Sequence, residues 1–131
     1  VEAKPKTRVL VVDDEQTIAD TLVIILNQAG FDAFAVYSGS EAVELAKSIE
    51  PDLIISDVDM PVMNGVDAMI LIRGFLPACK IILFSGRAAT ANLLADAAAR
   101  GHEFEFIAKP VHPKDLLARL GGGGRLSSDS L

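Results

Sequence analysis

At 131 residues the chain has room for one domain with a single hydrophobic core, large enough to fold without a disulfide or metal staple. Half of its residues are hydrophobic, yet no apolar run nears the roughly 18 needed to span a bilayer, and the opening VEAKPKTR lacks a signal peptide's apolar stretch, so a soluble, cytoplasmic chain is expected, with no membrane partner. The formal net charge of −6 argues against direct contact with nucleic acid, which calls for a basic face, and a lone cysteine, Cys79, excludes an internal disulfide, a thiolate zinc site and a Cys-x-x-Cys redox pair.

Five short apolar runs alternate with five helical patterns. Arg8 to Val12 (RVLVV) reads as the first strand and leads directly into Asp13, Asp14 and Glu15. Ile18, Leu22, Ile25, Leu26 and Ala29 then form a helical stripe closed by Gly30. Ala33 to Val36 is the second strand. Ser38, with Glu41 three residues on, predicts a capping box opening a second helix whose apolar face is Ala42, Leu45, Ala46 and Ile49. The third strand, Leu53 to Ser56, ends at Asp57 and Asp59, followed by Met60-Pro61 and the turn pair Asn64-Gly65, and Val66 to Arg73 gives the third helix. Ile81 to Phe84 (IILF) ends at Ser85. The Ala-rich stretch Thr90 to Arg100 gives a fourth helix, Phe106 to Ala108 a fifth strand running into Lys109-Pro110, and Pro113 to Leu120 a fifth helix with proline in its first turn. GGGGRLSSDSL follows, whose Gly and Ser content predicts a flexible tail. The expected organisation is an N-terminal extension over 1–7, one folded domain over 8–120 and a tail over 121–131.

Strict strand-helix alternation predicts a parallel sheet covered on both faces, because parallel neighbours need crossover connections. The first and third strands, the most continuously apolar, are expected to be central. In such a sheet the carboxyl ends lie along one edge, where open α/β folds bind ligands, so Asp13, Asp14, Asp57, Asp59, Ser85 and Lys109 are expected to converge.

Each of these residues taken alone has an ordinary explanation. Asp13 or Asp14 could cap the first helix, Ser85-Gly86 could be a strand-to-loop turn, and Lys109 could be a solvated surface residue. Phe106 reads first as a core aromatic. His102 and His112 lack a second ligand at useful spacing and read as loop and pre-helix residues, and Cys79 as a small buried hydrophobe. It is the conjunction that points to chemistry, namely phosphoryl transfer to a carboxylate. Packed aspartates raise one another's pKa, so keeping them ionised calls for a cation, and Mg²⁺ suits a carboxylate and carbonyl oxygen set. Lys109 would add a second positive charge, Ser85 a hydrogen bond to phosphoryl oxygens, and Asp57 the nucleophile.

Asp13-Asp14, the stretch DVDMPVMNG from Asp57, Ser85 and Lys109-Pro110 together resemble the signature of response-regulator receiver domains of two-component signalling, of the chemotaxis-regulator kind, over roughly residues 7 to 120. The resemblance implies an α/β, flavodoxin-like (βα)5 doubly wound sandwich with a parallel five-stranded sheet of order 2-1-3-4-5. It implies that Asp57 is the phospho-acceptor, that the Asp14 and Asp57 side chains and the Asp59 carbonyl bind Mg²⁺ with Asp13 helping through water, and that Ser85 and Phe106 are the switch pair, Lys109 the phosphate-binding lysine and the Lys109-Pro110 bond cis. The resemblance also implies that Asp59 and Arg87 occupy positions bordering the path of hydrolytic water, which makes them a candidate gate. The implied partners are a histidine kinase or phosphotransfer protein and a downstream protein target or an output domain of a longer chain, with a second copy docking through the fourth helix, fifth strand and fifth helix as a further candidate. Gly101 to Lys109 is about one residue longer than the family's usual spacing. A runner-up resemblance is the first motif of haloacid-dehalogenase-type phosphatases, which share the aspartyl-phosphate chemistry. Against it, the acid pair here precedes the nucleophile strand, Met60-Pro61 stands where a Thr is expected, and no cap domain is expected. A third alternative is an interaction module on the same fold that ignores phosphodonors and Mg²⁺.

Overall fold

The computed structural model describes residues 5–86, 90–109 and 112–120. Its elements are β1 (Arg8–Val12), α1 (Gln16–Gln28), β2 (Asp32–Val36), α2 (Gly39–Ile49), β3 (Leu53–Asp57), α3 (Gly65–Phe75), β4 (Lys80–Ser85), α4 (Thr90–Ala99), β5 (Glu105–Ala108) and α5 (Pro113–Arg119). The strands form one parallel sheet in the order β2-β1-β3-β4-β5, the implied order, with β1 and β3 both internal.

Alternate strand residues divide between two cores because successive side chains point to opposite faces. Leu10, Val12, Ile54, Ile81 and Leu83 face α2, α3 and α4, packing on Ala46, Met69, Ile72 and Ala97. Val9, Val11, Leu53, Ile55 and Ile82 face α1 and α5, packing on Leu22, Leu26 and Leu116. Burial on both faces explains why β1 and β3 read as unbroken apolar runs rather than alternating ones. Among the described residues, no helix is long and apolar enough to cross a membrane.

Helix ends follow the local chemistry. Ser38 Oγ accepts from the Glu41 N–H at 3.1 Å, and the Glu41 carboxylate accepts from the Tyr37 N–H at 2.8 Å, one residue earlier than a regular capping box would place it. Gly30, at φ 99°, carries the chain out of α1 in a conformation that other residues adopt only with strain. Neither Asp13 nor Asp14 is the N-cap of α1: that position is Glu15, with no side-chain cap. His112 caps α5 through Nδ1, which accepts from the Lys114 N–H, in keeping with its expected pre-helix role. Phe106 is half-buried rather than a full core residue, because β5 is the sheet's edge strand and has a neighbour on one side only. The segment expected to be a residue long is tied down by Arg73 of α3, which donates to the Glu103 carbonyl at 2.8 Å and stacks on Phe104 at 4.4 Å.

Candidate functional site

Three strand ends build the acidic centre. β1 delivers Asp13 and Asp14, β3 delivers Asp57, and single carboxylate oxygens from the three lie within 4.8 Å of one another. Asp13 and Asp57 are buried, at 2% and 6% exposure, whereas Asp14 faces solvent. From the end of β5, Lys109 Nζ donates to Asp13 Oδ2 and to Asp57 Oδ1, each at 3.2 Å, so one ammonium bridges the two buried carboxylates. Its position is set by the sheet, since the Lys109 N–H donates to the Ser85 carbonyl at 2.9 Å, and by the Phe84 ring, whose centroid lies 5.6 Å from Nζ. The other Asp13 oxygen accepts from the Glu15 N–H at 2.9 Å, fixing the carboxylate against the start of α1.

Among the described residues this arrangement is short of positive charge. Burial, and then the charge of Asp13, push the Asp57 carboxyl up from 3.8 to about 6, against the pull of Lys109. Burial works to lower the Lys109 pKa, but the charges of Asp57 and Asp13 and its hydrogen bonds to both outweigh it and hold the ammonium above its ordinary value. A divalent cation is therefore a good chemical match: a set of hard oxygen donors, one of them solvent-facing, with a surplus of negative charge that Lys109, among the described residues, does not fully offset.

Ser85 is buried at 2% exposure at the end of β4, opposite Ala108, and Phe106 pairs with Leu83 two residues back along the same ladder. Asp59 is exposed on the loop after β3, with its carboxylate outside the three-membered group. Arg87, the other half of the candidate gate, and Pro110, with the peptide bond expected to be cis, lie outside the described residues, as do 1–4 of the extension and the tail 121–131. His102 is outside the acidic group, and Cys79 is buried with its thiol pushed up to about 11 by burial, then by Asp52. Cys79 borders a cavity of about 290 Å³ at the opposite, amino edge of the sheet, beside Pro51 and Phe75.

Two site neighbours were not singled out from the sequence. Ser56, fully buried, donates through Oγ to the Asp57 carbonyl at 2.9 Å, and Gly65 packs so closely over that carbonyl that a Cβ would sit 2.0 Å from its oxygen. A hydroxyl inside an otherwise apolar buried strand was the available signal for the first. Gly65 looked like ordinary turn punctuation.

The family model of the response regulator receiver domain matches residues 9–121. The chain belongs to this family. A receiver domain of this kind is similar to the chemotaxis protein CheY of Thermotoga maritima, at 37% identity over 114 residues, covering 86% of this chain and 93% of that protein. It is also 30% identical over 124 residues to the DNA-binding response regulator MtrA of Mycolicibacterium smegmatis, covering 95% of this chain but 53% of that protein. The receiver chain thus spans about half the length of the first curated relatives it matches. Among solved structures, chemotaxis protein CheY4 of Vibrio cholerae superposes with a TM-score of 0.80 at 28% identity, over 89% of this chain and 98% of that one. The match makes the chain a signalling switch of two-component systems and decides against the phosphatase alternative.

Proposed function

We propose that this receiver domain accepts a phosphoryl group on Asp57 from a histidine kinase or phosphotransfer protein, with Mg²⁺, and that the modification alters its partner-binding surface. The observation that carries the reading is the buried Asp57 carboxylate, bonded to Lys109 at 3.2 Å and grouped with Asp13 and Asp14 at the carboxyl edge of the sheet. The Asp57 carboxylate attacks the phosphorus of a phosphohistidine. An O–P bond forms as the P–N bond breaks, and the departing imidazole takes up a proton from solvent. Lys109 holds positive charge beside the attacking carboxylate and stays protonated throughout, and Ser85 donates a hydrogen bond to a phosphoryl oxygen. Asp14, Asp57 and the Asp59 carbonyl, with Asp13 helping through water, would hold Mg²⁺, which when bound would supply charge to offset the crowded carboxylates and the phosphoryl oxygens. Hydrolysis of the acyl phosphate resets the switch.

The signal is read through Ser85 and Phe106. Ser85 moves toward the phosphoryl group, Phe106 turns inward, and the surface of α4, β5 and α5 changes its preferred partner, whether a separate target protein, an output domain of a longer chain or a second copy. We place the folded unit at residues 8–120 and the protein in the cytoplasm, with proteins rather than nucleic acid as its direct contacts, in keeping with the net charge of −6. Intact-mass measurement after incubation with a small phosphodonor such as phosphoramidate tests the reading. A single phosphoryl adduct is expected with Mg²⁺, and none with chelator or in Asp57→Asn. An adduct that forms without Mg²⁺ or survives in Asp57→Asn would refute it.

A further inference from the structure

We propose that Ser56 is a positioning residue for the acceptor: its hydroxyl, together with the bare Cα of Gly65, clamps the peptide unit that carries Asp57. The inference rests on the reading of Asp57 as acceptor and adds a residue to that site. Its starting point is where the sheet stops. The β1–β3 ladder ends at Val12 opposite Ser56, whereas the β3–β4 ladder continues to Asp57 opposite Phe84. Asp57 therefore has a strand partner on one side only. The peptide unit after it is bonded at both ends all the same: the Val58 N–H donates to the Phe84 carbonyl at 3.1 Å, and the Asp57 carbonyl accepts from Ser56 Oγ at 2.9 Å.

The same carbonyl is covered by the first residue of α3. A Cβ on Gly65 would lie 2.0 Å from the Asp57 oxygen and 3.0 Å from Ser56 Oγ, so glycine alone allows the helix to start there. The Gly65 and Met60 N–H groups both donate to the Val58 carbonyl, at 2.9 and 3.1 Å, closing the loop back on its own base. Ser56 is fully buried, in a strand whose other interior residues are Leu53, Ile54 and Ile55. A buried hydroxyl is tolerated only where it is bonded, and this one spends its bond on the acceptor's own backbone. In-line transfer is sensitive to displacements of about 1 Å, which can cost on the order of a hundredfold in rate. Releasing the carbonyl lets the Asp57 Cα, and with it the carboxylate, drift relative to Lys109.

The test compares Ser56→Ala, Ser56→Thr, which keeps the hydroxyl, and Val9→Ala, a truncation in the buried far end of β1 that lowers stability away from the site. With phosphoramidate at saturating Mg²⁺, Ser56→Ala is expected to be phosphorylated about tenfold more slowly than wild type. Val9→Ala should stay within about twofold, with Ser56→Thr well above the alanine variant. Without Mg²⁺ or donor, the Val58 amide should exchange with solvent faster in Ser56→Ala and not in Ser56→Thr. Should the alanine variant not fold, Ser56→Cys, close in size and a far weaker donor, takes its place. Equal rates in wild type and the hydroxyl-free variant, an equal loss in Val9→Ala, or a threonine variant as slow as the hydroxyl-free one would overturn the assignment. Wild type that takes no label, or Asp57→Asn that does, would instead overturn the acceptor reading itself.

Discussion

Replacing Asp57 with asparagine should make the protein more stable while removing its phospho-acceptor. A carboxyl whose pKa rises from 3.8 to about 6 on folding binds protons more tightly in the folded state, so stability falls as pH rises through that interval. At pH 7.5 the ionised carboxylate opposes folding by roughly 3 kcal/mol, taking about 1.4 kcal/mol for each pH unit of displacement. Asparagine removes the charge but leaves Lys109 bonded to Asp13, so a net gain of about 1–2 kcal/mol is expected at pH 7.5, worth roughly 3–10 °C in Tm for a domain of this size. At pH 4.5 the folded wild type carries Asp57 protonated, and its penalty shrinks to about 1 kcal/mol, so the gap between the two proteins should narrow by about 2 kcal/mol. Urea unfolding of both proteins in chelator at the two pH values measures this directly. An asparagine variant less stable than wild type at pH 7.5, or a gap that does not change with pH, would refute the argument that burial and the Asp13 charge store this free energy in the site.

Gly65→Ala should destabilise the fold by about 1–3 kcal/mol and slow phosphorylation, because a methyl carbon 2.0 Å from the Asp57 oxygen forces either α3 or the acceptor's carbonyl to move; an unchanged unfolding midpoint and labelling rate would contradict the close approach. Val62→Gly should stabilise it by about 0.5–1 kcal/mol in urea unfolding, since Val62 is fully exposed and holds a φ of 71° that a β-branched residue adopts only under strain; a loss of stability would show that the side chain makes a contact worth more than the strain.

The five strands were legible in the sequence to within a residue at either end, and for β1, β3 and β4 the reason is that a parallel strand covered on both faces must be apolar nearly throughout and has few other ways to be read. The convergence of Asp13, Asp57 and Lys109 was legible for a related reason: once the sheet is parallel, the ends of β1, β3 and β5 share an edge whatever the helices do. Contacts that depend on how closely two elements approach were not. Gly65 looks the same in sequence whether it serves a loose turn or lets a helix start against a carbonyl, and Ser56 looks the same whether it ends a strand or braces one. The exposure of Phe106 followed from β5 lying at the edge of the sheet, which the apolar pattern of EFIA does not encode. Arg73 bonds the Glu103 carbonyl, thirty positions along the chain, and stacks on Phe104 beside it, and no local periodicity signals either contact.

The assignment of Asp57 is tested most directly by chemical trapping of its acyl phosphate. Borohydride reduces an aspartyl phosphate to homoserine, so peptide mapping after incubation with phosphoramidate and Mg²⁺, followed by borohydride, identifies the residue that carried the phosphoryl group. Homoserine at position 57, present with donor and Mg²⁺ together and absent when either is withheld, is the expected result. Homoserine at Asp13, Asp14 or Asp59, or a phosphoryl adduct that borohydride leaves intact, would contradict it.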